Sequence, residues 1–156
     1  MVLIRVPIIK VAIIITDTRL LRLLQLSSAS LPVGGYSFSQ GLEYAIDAGW
    51  ITNEEHVADW VSFVMRESIA QVDLPLLLRL LSAIEKDDAN AFYYWNAYSL
   101  ACRETHELLL TETAMGDALV RLLTNLQITL PNNTCAESQK VSVSFVSAFA
   151  VAASHW

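Results

Sequence analysis

Cys102 and His106 stand four residues apart, a spacing that on a helix puts a thiol and an imidazole on one face, where both can ligate a transition metal. Two ligands hold such an ion weakly, and nothing near them in the sequence supplies a third. The plainer reading is a half-buried cysteine and a surface histidine, with His56 and His155 isolated and structural or exposed. Gly35-Tyr36-Ser37-Phe38 resembles the start of a serine nucleophile elbow, but that motif needs Gly-x-Ser-x-Gly on a strand-to-helix turn. Here Ser39 stands where the second glycine belongs, and the residues before the turn read helical. A phosphate-binding loop needs a lysine after its last glycine, and no lysine occurs between Val11 and Ile84. The residues therefore point to a non-enzyme, with no cofactor and no resident metal.

What remains is chemistry of recognition. In Leu31-Pro32-Val33-Gly34-Gly35-Tyr36-Ser37-Phe38-Ser39-Gln40-Gly41-Leu42-Glu43, glycine, proline, serine and aromatics crowd between two apolar periodic segments. Pro32 cannot continue a preceding helix. The Gly34-Gly35 pair permits positive φ or close backbone approach, and Ser37 or Ser39 can cap the helix that follows. Beyond the cap, Leu42, Ala45 and Ile46 share one helical face, with Gln40, Glu43 and Asp47 on the other. Tyr36 is thus an amphipathic aromatic at a turn, the residue type that anchors interfaces, and Glu43 is a polar-face contact. Arg103-Glu104-Thr105 reads either as a surface salt-bridge segment or as a second recognition patch. Trp60, Phe92, Tyr93 and Trp95 fall at helical spacing and read as core rather than as a binding cage.

The elements that position these residues are helical from Thr18 onward. Leu20, Leu21, Leu23, Leu24 and Leu26 make a first helix that should be well buried. Gly49 is a helix stop, and Thr52-Asn53-Glu54-Glu55 has the form of a capping box with Thr52 as the cap. Val57, Trp60, Val61, Val64 and Met65 form the next stripe. Asp73 and Pro75 mark a fresh helix start, and Asp87 or Asp88 another. Met115-Gly116 allows a neighbouring helix to come close, because glycine has no side chain to hold it off. Gln127 to Lys140 reads as a loop. Val141 to Ala153 is apolar and rich in small residues, with a β-branched start that permits a strand. Short connections between such helices predict an all-α fold, an antiparallel helical bundle.

Composition narrows the partners. The apolar fraction of 54% is ample for a core, and a formal net charge of −6 without a basic cluster disfavours nucleic acid. Cys102 and Cys135 are too few for a disulfide framework, which points to a cytoplasmic chain with reduced thiols. Residues 1–17 are an atypical apolar extension, and 18–156 the helical domain. Met1 to Thr16 is broken by Arg5, Pro7 and Lys10 and is shorter than the ~20 residues a spanning helix needs. A strand-like or irregular extension with no membrane role is the favoured reading, a membrane tether the alternative.

The glycine stretch is similar to the signature of the urease accessory protein UreF family, Leu-Pro-x-Gly-(Gly/Ser)-(Tyr/Phe)-(Ser/Thr)-x-Ser-x-Gly-Leu-Glu. Asp73-Leu74-Pro75-Leu76, Ala101-Cys102-Arg103-Glu104-Thr105, and Met115-Gly116 with Leu119 follow in the family's order. Ser144-Phe145-Val146-Ser147-Ala148-Phe149-Ala150 with His155-Trp156 resembles a helix of that family, so the resemblance implies a buried helix there. The likeness runs from about Thr18 to Trp156, and family members continue for several helices beyond, which implies an amino-terminal portion. Such a portion is expected to leave Leu74 to Leu81, Phe92 to Tyr98 and Val141 to Ala153 short of cover. The resemblance implies a helical protein that pairs with itself and with the UreD/UreH accessory protein, recruits the GTPase UreG, and assists nickel delivery to apo-urease. It places the partner surface at Gly34, Gly35, Tyr36, Ser37, Ser39, Gln40, Gly41 and Glu43, with Arg103 and Glu104 as a further patch. The alternative is a truncated helical binding module without competent nickel delivery.

Overall fold

In a computed structural model, the structure describes residues 18–132 and 141–156; the apolar stretch 1–17, with its strand or membrane readings, and Cys135 in the loop lie outside the described residues. Every described element is helical. In chain order they are α1 (Thr18–Leu26), a 3-10 turn (Gly35–Ser37), α2 (Leu42–Asp47), α3 (Glu54–Phe63), a π segment (Val64–Asp73), α4 (Leu74–Glu85), α5 (Ala89–Ala101), α6 (His106–Asn125) and α7 (Phe145–His155). The family-implied helix at 145–155 is present, and Val141 to Ser144 lead into it without forming a strand.

Local chemistry sets the ends. Asn53, Asp88, Thr105 and Ser144 each accept a hydrogen bond from the amide three residues on, satisfying a donor that the first helical turn leaves orphaned. Of the two candidates, Asp87 and Asp88, the cap is Asp88. At α3 the cap is Asn53 rather than Thr52: Asn53 Oδ1 takes the His56 amide at 2.9 Å, and His56 Nδ1 faces the Thr52 amide at 3.3 Å. The reciprocal partner is therefore His56, not Glu55. Three C-termini close in the same way. Trp50 N–H reaches back to Ala45 O (2.9 Å), Asp88 N–H to Ala83 O (2.9 Å) and Ile128 N–H to Leu123 O (2.9 Å). The residues before them, Gly49, Asp87 and Gln127, take positive φ of 74°, 53° and 61°, the Schellman arrangement.

Asp73 and Pro75 do not start a new helix. Asp73 has helical backbone angles and caps nothing, so α3, the π segment and α4 run on as one length. Pro75 has no amide hydrogen, and its ring crowds the carbonyl four residues back. The wide register before it, with Leu74 N–H on Ile69 O, accommodates the proline without ending the helix.

The core is built around α7, which packs against α1, α4, α5 and α6. Val146, Ser147, Ala148, Ala150, Val151 and Ala152 are all buried, so this helix is covered rather than left open as the truncation argument expected. Its small side chains admit Leu80, Phe92, Leu119 and Leu123 from the surrounding helices, all at or near zero exposure. Each such burial is worth about 1.5–3 kcal/mol. Two other segments meet that expectation in part: Leu78 and Tyr94 are 69% and 61% exposed while Leu80 and Phe92 are not.

The first helix is not well buried. Only Leu26 is, while Leu20, Leu21 and Leu24 stand open because α1 rests on α7 through one edge. The stripe of α3 is likewise only partly covered, and neither α3 nor the π segment buries any residue. Trp60 is half-buried there, whereas Phe92, Tyr93 and Trp95 belong to or border the core as their spacing predicts. The helix α6 runs unbroken for 20 residues, His106–Asn125.

Candidate functional site

The glycine stretch crosses the surface between α1 and α2 and is anchored by buried Val33. Its turn is set by three left-handed residues, Gly34 (φ 77°), Gln40 (φ 52°) and Gly41 (φ 87°). Gly34 accepts the Ser37 amide at 3.0 Å to open the 3-10 turn, and Ser39 O accepts the Leu42 amide at 3.1 Å to open α2. The residue at the N-cap of α2 is therefore Gly41, with no side-chain cap, and neither Ser37 nor Ser39 serves that role. The reason is conformational: two consecutive positive-φ residues bring a backbone carbonyl to the helix start, leaving a hydroxyl nothing to do there.

Of the glycine pair, Gly34 carries the special backbone. A side chain added there would meet no neighbour, so its cost is that of the left-handed region alone. Gly35 has an ordinary φ, and a Cβ on it would stand 3.5 Å from Met115 Cε, an ordinary contact. Gly34→Ala is therefore expected to destabilise by about 1 kcal/mol and Gly35→Ala by much less. Chemical denaturation of the two variants checks the order, and a larger loss at Gly35 would reverse the assignment.

Gly34, Ser37, Gln40, Gly41 and Glu43 are exposed, and Gly35 and Ser39 are half-buried. The side chain of Tyr36 lies outside the described residues. Beyond the signature the structure adds an aromatic pair that the sequence reasoning missed. Tyr44 and Trp50 are 67% and 64% exposed and meet edge to face at 5.5 Å. Their one sequence signal is that Trp50 follows a helix-stop glycine, which turns the chain back onto α2. Gly41 also lies under Trp60, two of whose ring carbons are 3.7 and 3.9 Å from where a Cβ would be.

Arg103 and Glu104 sit in the turn between α5 and α6 and face different ways. Glu104 is exposed. Arg103 points inward: its Nη2 lies 2.8 Å from Asp73 Oδ1 and 3.1 Å from Glu112 Oε2, with only 9% of the side chain exposed. Glu112 Oε1 accepts the Val146 amide at 3.2 Å, so the cluster also holds the first turn of α7. Burial acts to lower Arg103, but the two carboxylates outweigh it and raise it above the ordinary guanidinium value. Burial raises Glu112, and the pull of Arg103 only partly offsets that. Cys102 ends α5 and His106 begins α6, so they belong to two helices rather than one face, and among the described residues no three His, Cys, Asp or Glu side chains gather to hold a metal.

The separate pieces meet on one stretch of α6. Glu112 binds Arg103 and α7, Met115 lies against Gly35, and Gly116 underlies the entry to α7. A Cβ at Gly116 would overlap the Val143 carbonyl oxygen and stand 2.9 Å from Ser144 C, the close approach predicted for this glycine. Asn96, buried in α5, completes the seat by donating from Nδ2 to Ser142 O (2.9 Å) and accepting the Ser144 amide on Oδ1 (2.9 Å). Tyr93 donates to Pro131 O at 2.9 Å, and burial raises its phenol. So the glycine turn and the Arg103 turn are tied to one rigid helix, and only the first and Glu104 are displayed.

Comparison with known proteins agrees with this frame. Residues 51–156 match the family model described as UreF. The chain is 51% identical over 144 residues to the urease accessory protein UreF of Marinomonas sp. (strain MWYL1), covering 92% of this chain and 60% of that protein. It is 49% identical over 113 residues to that of Pseudomonas entomophila, covering 72% and 50%, and 45% identical over 134 residues to that of Escherichia coli O157:H7, covering 84% and 60%. The chain thus spans half to three-fifths of the length of these curated relatives. The glycine signature, the helices it joins and these matches together place the chain in the UreF family.

Proposed function

We propose that this protein is a non-enzymatic urease maturation factor that binds the UreD/UreH accessory protein, recruits or regulates the GTPase UreG, and so assists nickel insertion into apo-urease in the cytoplasm. It acts as a homodimer within that complex, and residues 18–156 supply the helical unit. The observation that carries the reading is the displayed glycine turn, fixed by left-handed Gly34, Gln40 and Gly41 and backed by Met115 of α6. A rigid exposed turn with Glu43 beside it and a Tyr44–Trp50 pair at its end has the make-up of an interface anchor: large aromatic area with little entropy to lose. Among the described residues no helix is long and apolar enough to cross a membrane.

The assignment of the turn makes a specific forecast. Glu43 is exposed in the first turn of α2 and supports no described contact, so Glu43→Ala is expected to keep its helix content and melting while losing partner affinity several-fold. A pull-down with UreD/UreH beside a circular dichroism control measures both. Affinity unchanged within error would remove Glu43 from the surface.

A second reading, a helical binding module without nickel delivery, is favoured by one feature: along Glu54–Asp73 no residue is fully buried, and Val61, Phe63, Met65 and Ile69 stand exposed for a partner to cover. The two readings part in cells that lack their own UreF. Supplying the chain should restore nickel content and urease activity under the first reading, and binding without either under the second.

A further inference from the structure

The Asp73–Arg103–Glu112 cluster holds two carboxylates against one guanidinium, and both bear on the same nitrogen, Arg103 Nη2. Their side chains are 23%, 9% and 13% exposed, and Arg103 Nε is buried with no hydrogen-bond partner. The guanidinium is therefore engaged along one edge only. Among the described residues Arg103 and Asp73 are the charges that act on Glu112. One turn away on α6 stand Leu108, Leu109, Met115 and Gly116; α5 carries no acidic or basic side chain; α7 carries none before His155 and offers only the Val146 amide. With both acids ionised the cluster has a surplus negative charge removed from water, and burying such a charge favours the neutral acid.

We propose that this cluster binds one proton, chiefly through Glu112, and that losing it loosens the seat of α7. Glu112 is the one member that touches both the cation and the helix: Oε2 faces Arg103, while Oε1 holds Val146 N–H. A proton on Oε2 cancels the surplus charge and leaves Oε1 accepting the Val146 amide. When the proton leaves, the charge is relieved most easily by water entering at the first turn of α7, where the Ser142 carbonyl and the Ser144 amide are held by Asn96 and the Val146 amide by Glu112. Burial as the dominant influence on Glu112 agrees in direction. A group held above its unfolded-state value stabilises the fold in its protonated form, fully so below about pH 4, and that contribution fades as pH rises through the folded-state value.

The test compares the chain with Glu112→Gln, an isostere of the protonated acid that keeps one acceptor oxygen, carries an NH2 donor in place of the other, and cannot ionise. Urea unfolding of both is measured from pH 4 to pH 8, with hydrogen exchange at the Val146 amide alongside. The ratio of unfolding constants, native over variant, should be smallest at the acid end and climb with pH, about tenfold for each unit by which Glu112 is raised. Over the same range Val146 exchange, corrected for intrinsic rate, should accelerate in the native chain and not in the variant. A flat ratio, a ratio falling with pH, or a Glu112→Gln chain that is less stable than the native one at neutral pH or does not fold would overturn the proposal. A flat ratio would show that the folded cluster binds no extra proton, and the other results that the ionised carboxylate serves the fold.

Discussion

Gly116→Ala is expected to cost about 3 kcal/mol or more, enough to remove a large part of the stability of an ordinary domain. Two effects oppose each other at this position. In an exposed helix interior, alanine in place of glycine stabilises by roughly 0.5–1 kcal/mol, because glycine gives up more backbone freedom. Here the added methyl would overlap the Val143 carbonyl and crowd Ser144 C at 2.9 Å. The obstacle is backbone and not a flexible side chain, so it cannot step aside. It is also backbone pinned by Asn96 and by the Ser144 cap. The collision wins, and α7 must lift from α6. Urea unfolding and far-ultraviolet circular dichroism measure the loss, and an alanine variant as stable as the native chain would mean that α7 does not sit where it is described.

Arg103→Met should be nearly as damaging, about 3 kcal/mol at neutral pH, because it leaves Asp73 and Glu112 without their shared cation in a site that is mostly shielded from water. The deficit should shrink as pH falls toward the carboxylate range, since protonation removes the repulsion that the arginine had screened. Replacing all three at once, with Asp73→Leu and Glu112→Met, should recover much of the loss, because apolar side chains of similar volume need no partner. Denaturation of the single and triple variants at two pH values checks this. An Arg103→Met chain that melts normally at neutral pH would show that the ion pairs contribute nothing to the fold.

Those two residues also show what the sequence discloses and what it hides. Gly116 was legible, because a lone glycine inside a helical pattern has few physical reasons to be there, and close backbone approach is the commonest. Helix existence was legible for the same kind of reason, from the spacing of leucines and from Asp88 as a cap. Arg103 was only half legible. Its neighbours marked the α5–α6 turn, but which way a long cationic side chain points depends on acids 30 residues earlier and 9 later, Asp73 and Glu112, which no local pattern connects.

Burial was the least legible property. The leucines of α1 and the stripe of α3 carry the same periodicity as core helices, yet Leu20, Leu21, Leu24 and Val61 stand exposed and α3 buries no residue. Periodicity states which face of a helix seeks cover and is silent on whether cover arrives. The cap at Asn53 and the glycine at the start of α2 were displaced by a residue or two for a related reason. Several adjacent polar groups can satisfy the same orphan amides, and the chain takes whichever its turn geometry brings nearest. At the candidate surface the glycines were readable, while the Tyr44–Trp50 pair was not, because their contact depends on the chain reversing at Gly49.

The proposed role is that of an adaptor that brings UreG to UreD/UreH through the displayed glycine turn. Immobilised UreD/UreH is incubated with UreG in the presence and absence of the chain, and the UreG retained is measured. The account predicts that UreG is retained only when the chain is present, and that both the chain and UreG are lost together with Glu43→Ala. UreG retained equally without the chain, or a chain that never binds UreD/UreH, would contradict it.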